Sequence, residues 1–466
     1  MALSPENGDI SPSGSPSGSP SGSPKRSARF THRYKPTVDS FPEIYQFCIQ
    51  AIERRDSRAL AEIARRCGVP TKLRWLIWPL SSNDHPYVKL PSILTEFPHH
   101  EAYATSTVPG VSNGCEIPRK RIKAEIERYK AKLKRENTLK TSSNEGSASS
   151  SESSPTDPWE SANDEYVYAQ VEEAVVRFSE VRGRDIPYER GMVYVALSLA
   201  DWLIVRHSDD TEQLTEMTYI PGTRVPDNLF SFPVVFERVL LVFFHVPAHS
   251  STAPQGPLDS PIAERIASFL AAFRTLCRDL SDSFSEEEVL TNRANSGDEW
   301  LSWWVKWFGA KAWRSYERAR CWDLVFGLRE YFDHSGSTTY NHTYNHRDSF
   351  PSSHKIDEFD TSLAVASDSF GFSEPFWNPN PITDGIQGST SYKSDSSGPP
   401  PASHEQWTFV CLAILKSFMD TSENLEQSEI REFLSAVPAI PDMENIIIAA
   451  GNLWREYELH EESSRD

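Results

Sequence analysis

Residues 298–332, DEWLSWWVKWFGAKAWRSYERARCWDLVFGLREYF, decide the fold class. Trp300, Trp303, Trp304 and Trp307 recur at three- and four-residue steps, the period of one helical face and not the alternation of a strand. Trp313 continues the aromatic run, and Arg320-Cys321-Trp322-Asp323-Leu324-Val325-Phe326 follows it. At this spacing tryptophans are core residues first and ligand contacts only second. The stretch predicts a helical body filled by large aromatic side chains.

The same period recurs to either side. It runs through ANDEYVYAQVEEAVVRFSEV (162–181), GMVYVALSLADWLIV (191–205), FPVVFERVLLVFFHV (232–246) and SPIAERIASFLAAFRTLCRDL (260–280). Two closing segments, HEQWTFVCLAILKSFM (404–419) and PDMENIIIAAGNLWREYE (441–458), share it. Near the start, Ser40 and Glu43 are spaced as a capping box, with Ile44, Phe47, Cys48, Ala51 and Ile52 at helical intervals behind them. Asp56 is placed to cap a second helix bearing Leu60, Ile63, Ala64 and Cys67, with Arg65 and Arg66 in its last turn and Gly68 as a left-handed exit. No alternating apolar runs bounded by hairpin turns stand out, so the predicted class is all-α.

Composition separates folded from unpacked chain. With 38% hydrophobic residues, 13 Trp and 24 Phe, the 466 residues hold material for a large core, whereas 33 Pro and the polar balance point to segments outside it. Residues 1–36 open on SPSGSPSGSPSGSP and read as a disordered tail. A single large helical domain is expected over 40–455, in two helical subdomains that meet near residue 225 or as one body. Disordered polar inserts are expected at about 139–160 and 334–403, and a polar tail at 456–466.

Charge and cysteines exclude several classes. The formal charge is −19, which disfavours nucleic acid as a partner. Cys48, Cys67, Cys115, Cys277, Cys321 and Cys411 are scattered without a CxxC pair, so neither a disulfide framework nor a zinc site is expected. His342 and His346 have metal-like spacing but lack an obvious third ligand, and no metal is expected. No basic-then-apolar leader opens the chain, and Val239–Phe244 is too short to span a bilayer. A soluble, cytoplasmic protein is the expectation. There is no Gly-rich phosphate loop and no GxSxG elbow.

One segment departs from the acidic background. Arg119–Arg135, RKRIKAEIERYKAKLKR, holds nine Lys/Arg against two Glu, a net +7 that leaves −26 on the remainder. Ile122, Ile126, Tyr129 and Leu133 form an apolar seam along it. A solvated helix docked by that seam is the plain reading; contact with an acidic protein, a nucleotide phosphate or a membrane surface is the functional one.

Four short pieces, in order, resemble the TBC domain family, the activators of Rab GTPases. The family's opening Gly-hydrophobic-Pro turn into Leu-Arg and Trp is matched by Gly68, Val69, Pro70, Leu73, Arg74 and Trp78. Its IxxDxxR motif is similar to Ile122-Lys123-Ala124-Glu125-Ile126-Glu127-Arg128, and its YxQGM motif to Tyr188-Glu189-Arg190-Gly191-Met192. Its late Arg-hydrophobic-Trp-Asp signature is matched by Arg320, Trp322 and Asp323. Within the family the runs 298–324 and 407–418 resemble the fungal oxidant-induced cell-cycle arrest protein 5 branch.

The resemblance implies a regulator of a small Rab-like GTPase and not a self-contained enzyme. GTP and magnesium would belong to the partner, with no cofactor of the chain's own and only peripheral membrane contact through the GTPase. By position, Arg128 would be the arginine finger, and Glu125 would stand for the aspartate that steadies it. Arg190 would occupy the place of the family's water-positioning glutamine. A guanidinium donates but cannot accept hydrogen bonds, so that substitution implies weak activation at best. A catalytically silent scaffold of the same fold is the alternative.

Overall fold

The computed structural model describes residues 38–54, 56–89, 116–143, 158–183, 186–204, 229–244, 261–290, 299–327, 376, 403–419 and 426–465. All of them belong to one compact unit, Pro36–Asp466. Among the described residues the regular structure is helical and no strand occurs. The predicted tail at 1–36 lies outside them, as do Cys115, His342 and His346.

After a 3₁₀ turn at Val38–Ser40, α1 (Pro42–Arg54) buries Ile44, Cys48, Ala51 and Ile52. The helix opens at Pro42, which has no N–H to satisfy, so Ser40 and Glu43 are out of register for the expected capping box. The second cap forms as read: Asp56 Oδ1 accepts from the Ala59 N–H at 2.9 Å and starts α2 (Ser57–Arg66). Gly68 leaves that helix at φ +79°. A Cβ there would meet Arg320 Cδ at 2.7 Å, so this turn requires glycine for both its backbone and its neighbour.

Val69 and Pro70 then lead through a 3₁₀ turn, Thr71–Leu73, into α3 (Arg74–Asn83) and α4 (Pro86–Lys89). This turn is tied to the far end of the sequence. In α12 (Ser315–Phe326) the Asp323 carboxylate accepts from Val69 N at 3.0 Å, Arg74 NH2 at 3.0 Å and Trp78 Nε1 at 2.7 Å. One turn away Arg320 donates to the Ala64, Arg65 and Arg66 carbonyls that end α2, and to both oxygens of Glu444. Leu73 and Trp322 are buried beside them. Gly68, Pro70, Leu73, Arg74, Trp78, Trp322 and Asp323 therefore form one structural junction.

The long helices α5 (Glu116–Ser143) and α6 (Pro158–Arg182) pack together, and α7 (Arg190–Leu203) packs on both. The expected insert at 139–160 is entered by helix from each side; residues 144–157 lie outside the described set. Helix α8 (Phe232–Phe244) follows residue 225 yet packs on α3, α6 and α7, so the core is continuous across that point. α9 (Pro261–Leu276) and α10 (Arg278–Glu286) lead to α11 (Glu299–Leu301).

The tryptophan run is core, as its period predicts, but it is not one helix. α11 passes into a π-helical turn at Ser302–Lys306, and the chain reverses at Phe308 (φ +46°) and Gly309 (φ +68°) before α12. Indole donors occupy the carbonyls of this irregular stretch: Trp407 Nε1 donates to Trp304 O at 2.6 Å and Trp322 Nε1 to Phe308 O at 3.0 Å.

Helix α13 (Ser403–Met419) packs on α15 (Met443–Arg465), with α14 (Gln427–Ser435) between them in sequence. Two expected boundaries change here. Phe376, inside the expected 334–403 insert, is buried and sits 6.0 Å from the Trp454 ring. The expected polar tail at 456–466 is helix through Arg465, because Tyr457 anchors it on Phe409 at 5.9 Å. No described helix is long and apolar enough to cross a membrane.

Candidate functional site

Helix α5 docks by its apolar seam: Ile122 and Ile126 are buried, and Tyr129 is half-buried. Glu125 flanks that seam, so the docking that buries the isoleucines also carries its carboxylate inward, leaving the residue 4% exposed. Arg128 stands three residues on, the spacing of helical neighbours, and its NH1 donates to Glu125 Oε1. The Arg128 side chain nevertheless remains 66% exposed.

The facing wall is the start of α7. Glu189 is extended (φ −130°, ψ 153°) and Arg190 opens the helix. Arg190 Nε lies 3.3 Å from the same Glu125 Oε1, with the arginine side chain 53% exposed. Glycine at 191 is a steric necessity, since a Cβ would sit 2.0 Å from the Trp307 indole. That contact sets the helix start directly against the π-helical turn.

Ser302, Trp303 and Trp307 line the same open groove, which has a volume of about 620 Å³. Its two rim glutamates are matched by lysines: Lys306 Nζ lies 2.6 Å from Glu189 Oε1, and Lys311 Nζ lies 3.6 Å from Glu299 Oε1. Trp303 Nε1 also donates to Glu299, and this bond holds the Glu299 carboxyl below the usual carboxylate range. With those pairs balanced, Arg121, Arg128 and Arg190 against Glu125 leave a formal +2 in the groove. Exposed guanidiniums, with Arg190 at a helix N-terminus, favour an anionic group there.

Two buried polar atoms in the lining residues have no hydrogen-bond partner in the protein, Glu125 Oε2 and the Tyr188 hydroxyl. Burial, and then the negative charge of Glu125, push the Tyr188 phenol up to about 12. It is a protonated donor at any physiological pH.

Of the residues singled out in the sequence, Glu125, Arg128, Tyr188, Arg190 and Gly191 meet at this groove. The other motif residues build the Asp323 junction instead. The sequence does not single out Arg121, Glu299 or Ser302 as lining residues, and its period marks Trp303 and Trp307 as core first and ligand contacts only second. Among the described residues no group of three or more His, Cys, Asp or Glu could hold a metal ion.

Fold and site together define an α-helical protein with a cationic groove whose two principal arginines share one buried glutamate. The chain is similar to the oxidant-induced cell-cycle arrest protein 5 of Meyerozyma guilliermondii, 27% identical over 87% of this chain and 83% of the relative. Proteins of the same name from Debaryomyces hansenii (24% identical, 91% and 81% covered) and Zygosaccharomyces rouxii (24%, 89% and 86%) are similar over comparable spans. No family model matches the chain, and no solved structure matches it.

Proposed function

We propose that this protein is a cytoplasmic regulator of a small Rab-type GTPase, a divergent TBC-fold activator that offers Arg128 in trans. The reading rests on one observation: two helices bring Arg128 and Arg190 to a single buried carboxylate, with both guanidiniums open to the groove. An arginine inserted beside the β- and γ-phosphates neutralises charge that develops during hydrolysis, an effect of about 10³–10⁵ in rate in related GTPases. Glu125 pre-orients Arg128 through one nitrogen and leaves its other donors for the anion.

Arg190 can add charge but cannot accept a proton from the attacking water. The partner must then position its own water, and activation is weak. The relatives' name concerns cell-cycle arrest induced by oxidants, and we extend to this chain only a cell-cycle setting for such a regulator. A second reading, a GTPase-binding scaffold without activation, is favoured by Arg190 itself, whose Nε is engaged by Glu125.

Single-turnover GTP hydrolysis across a panel of Rab proteins tests both. Activation by the wild type that is lost in Arg128→Ala and raised in Arg190→Gln supports the activator. Binding to a GTP-loaded Rab with no acceleration by any variant supports the scaffold. Absence of both binding and acceleration across the panel ends the GTPase reading.

A further inference from the structure

The two walls of the groove carry opposite charge at their exposed edges. On the α5 wall Arg121 and Arg128 line the groove, and Lys132 and Arg135 follow at the helical steps that keep them on the same face. All four are exposed, since the helix docks by Ile122 and Ile126 on another face. At 1.5 Å per residue this cationic line runs about 21 Å, several times the width of a phosphate group. The facing rim is balanced in number but not in exposure. Glu189 is 46% exposed against 14% for Lys306, and Glu299 is 65% exposed against 27% for Lys311. The carboxylates stand outermost, and the ammoniums lie back over the Trp307 and Trp303 rings.

An anionic lipid sheet fits this pattern poorly, because it is negative everywhere and meets the outer carboxylates as well as the arginines. A free polyphosphate fills the groove and leaves Lys132 and Arg135 idle. A protein surface can match both walls, with carboxylates along the α5 line and a cation against Glu189 and Glu299. We propose that these oppositely charged walls are the docking surface for the partner GTPase, with an acidic ridge of the partner lying along 121–135. The inference rests on the GTPase reading above and adds to it the face by which the partner binds. A partner docked the other way round would set carboxylate on carboxylate at the rim, so the pattern fixes direction as well as position. Lys132 and Arg135 lie beyond the groove and act on encounter, by steering.

The test uses the full chain and a Rab that it binds in the panel, with association followed by stopped flow at low and high salt. Reversing both outlying charges, Lys132→Glu with Arg135→Glu, should slow association at least about tenfold at low salt, within the range of electrostatic steering. Dissociation should change far less. The paired Lys132→Gln, Arg135→Gln variant should fall between, and both deficits should close near about 1 M salt, where the Debye length is about 3 Å. Glu299→Gln keeps an acceptor for Trp303. It should weaken Rab binding yet tighten pyrophosphate binding, because only the protein brings a cation to that rim. Unchanged association in both paired variants overturns the docking surface and leaves the GTPase reading standing. Tighter Rab binding in Glu299→Gln also overturns it, since the partner would then be acidic on both sides. Binding to phosphatidylserine vesicles that the charge reversal abolishes, with Rab association untouched, assigns the line to a lipid surface instead. If no Rab binds, the docking surface and the GTPase reading fall together.

Discussion

Arg74 donates its NH2 to Asp323 Oδ2 at 3.0 Å with neither side chain exposed to solvent, although 249 residues separate them. The same carboxylate holds Val69 N and Trp78 Nε1, so one aspartate late in the chain fixes the entry to α3. Asp323→Ala should cost about 3–5 kcal/mol, because it strands a buried guanidinium without its counter-charge. Asp323→Asn, of the same size and still an acceptor, should cost less. Urea unfolding midpoints at unchanged slope measure both. A midpoint for Asp323→Ala close to the wild type would mean that the junction contributes little to stability.

Gly191 makes a second steric prediction. An alanine Cβ would land 2.0 Å from the Trp307 indole, so either α7 or the π-helical turn must move. Gly191→Ala should destabilise by about 1–3 kcal/mol, the usual cost of overpacking. Pairing it with Trp307→Phe should recover part of that loss, giving a double-mutant coupling of about 0.5 kcal/mol or more. Strict additivity in denaturant unfolding would show that the two residues do not press on each other.

These contacts mark what the sequence could and could not reveal. Asp56 and Gly68 were legible because cap chemistry and a left-handed exit depend on neighbouring residues alone. Ser40 does not cap, because the helix opens at Pro42 behind Phe41 and leaves Ser40 in the preceding 3₁₀ turn. The tryptophan run was legible as core, but its π-helical turn was not. That turn persists because Trp407 and Trp322, from other helices, take its carbonyls. The final helical turns looked like a polar tail because their anchor, Tyr457 on Phe409, joins two distant segments. At the groove, the pairing of Glu125 with Arg128 follows from helical spacing. The arrival of Arg190 at the same oxygen requires α5 to lie across the start of α7, which no local pattern specifies.

The buried thiols should be inert in the folded chain. Burial raises the pKa of Cys48, Cys67, Cys321 and Cys411, that of Cys67 to about 12. A raised thiol pKa favours the neutral folded form. This stability is therefore fully present below the ordinary thiol value of about 8.5 and is lost as pH rises from there through the folded value. In a Cys115→Ser, Cys277→Ser background, thiol-reagent labelling at pH 8 should wait for unfolding and follow the denaturation curve. Rapid labelling of any of the four without denaturant would contradict their burial.

Glu125 separates positioning from attraction, because its removal should move the two in opposite directions. Glu125→Gln keeps the shape of the side chain but takes away the charge on which Arg128 and Arg190 converge. The formal charge among the arginines and residue 125 rises from +2 to +3. A more positive groove attracts anions better at low salt, and pyrophosphate should bind more tightly, read from quenching of tryptophan fluorescence with Trp303 and Trp307 at the site. The arginines, however, lose the anchor that fixes their direction. A misplacement of about 1 Å can cost on the order of 10²-fold in rate, so activation of a responsive Rab should fall at least about tenfold in single-turnover hydrolysis. Tighter pyrophosphate binding with weaker activation is the signature of a carboxylate that aims its arginines. If both quantities fall, Glu125 instead supports the groove wall itself. If activation is untouched, the guanidinium that matters is not the one Glu125 holds.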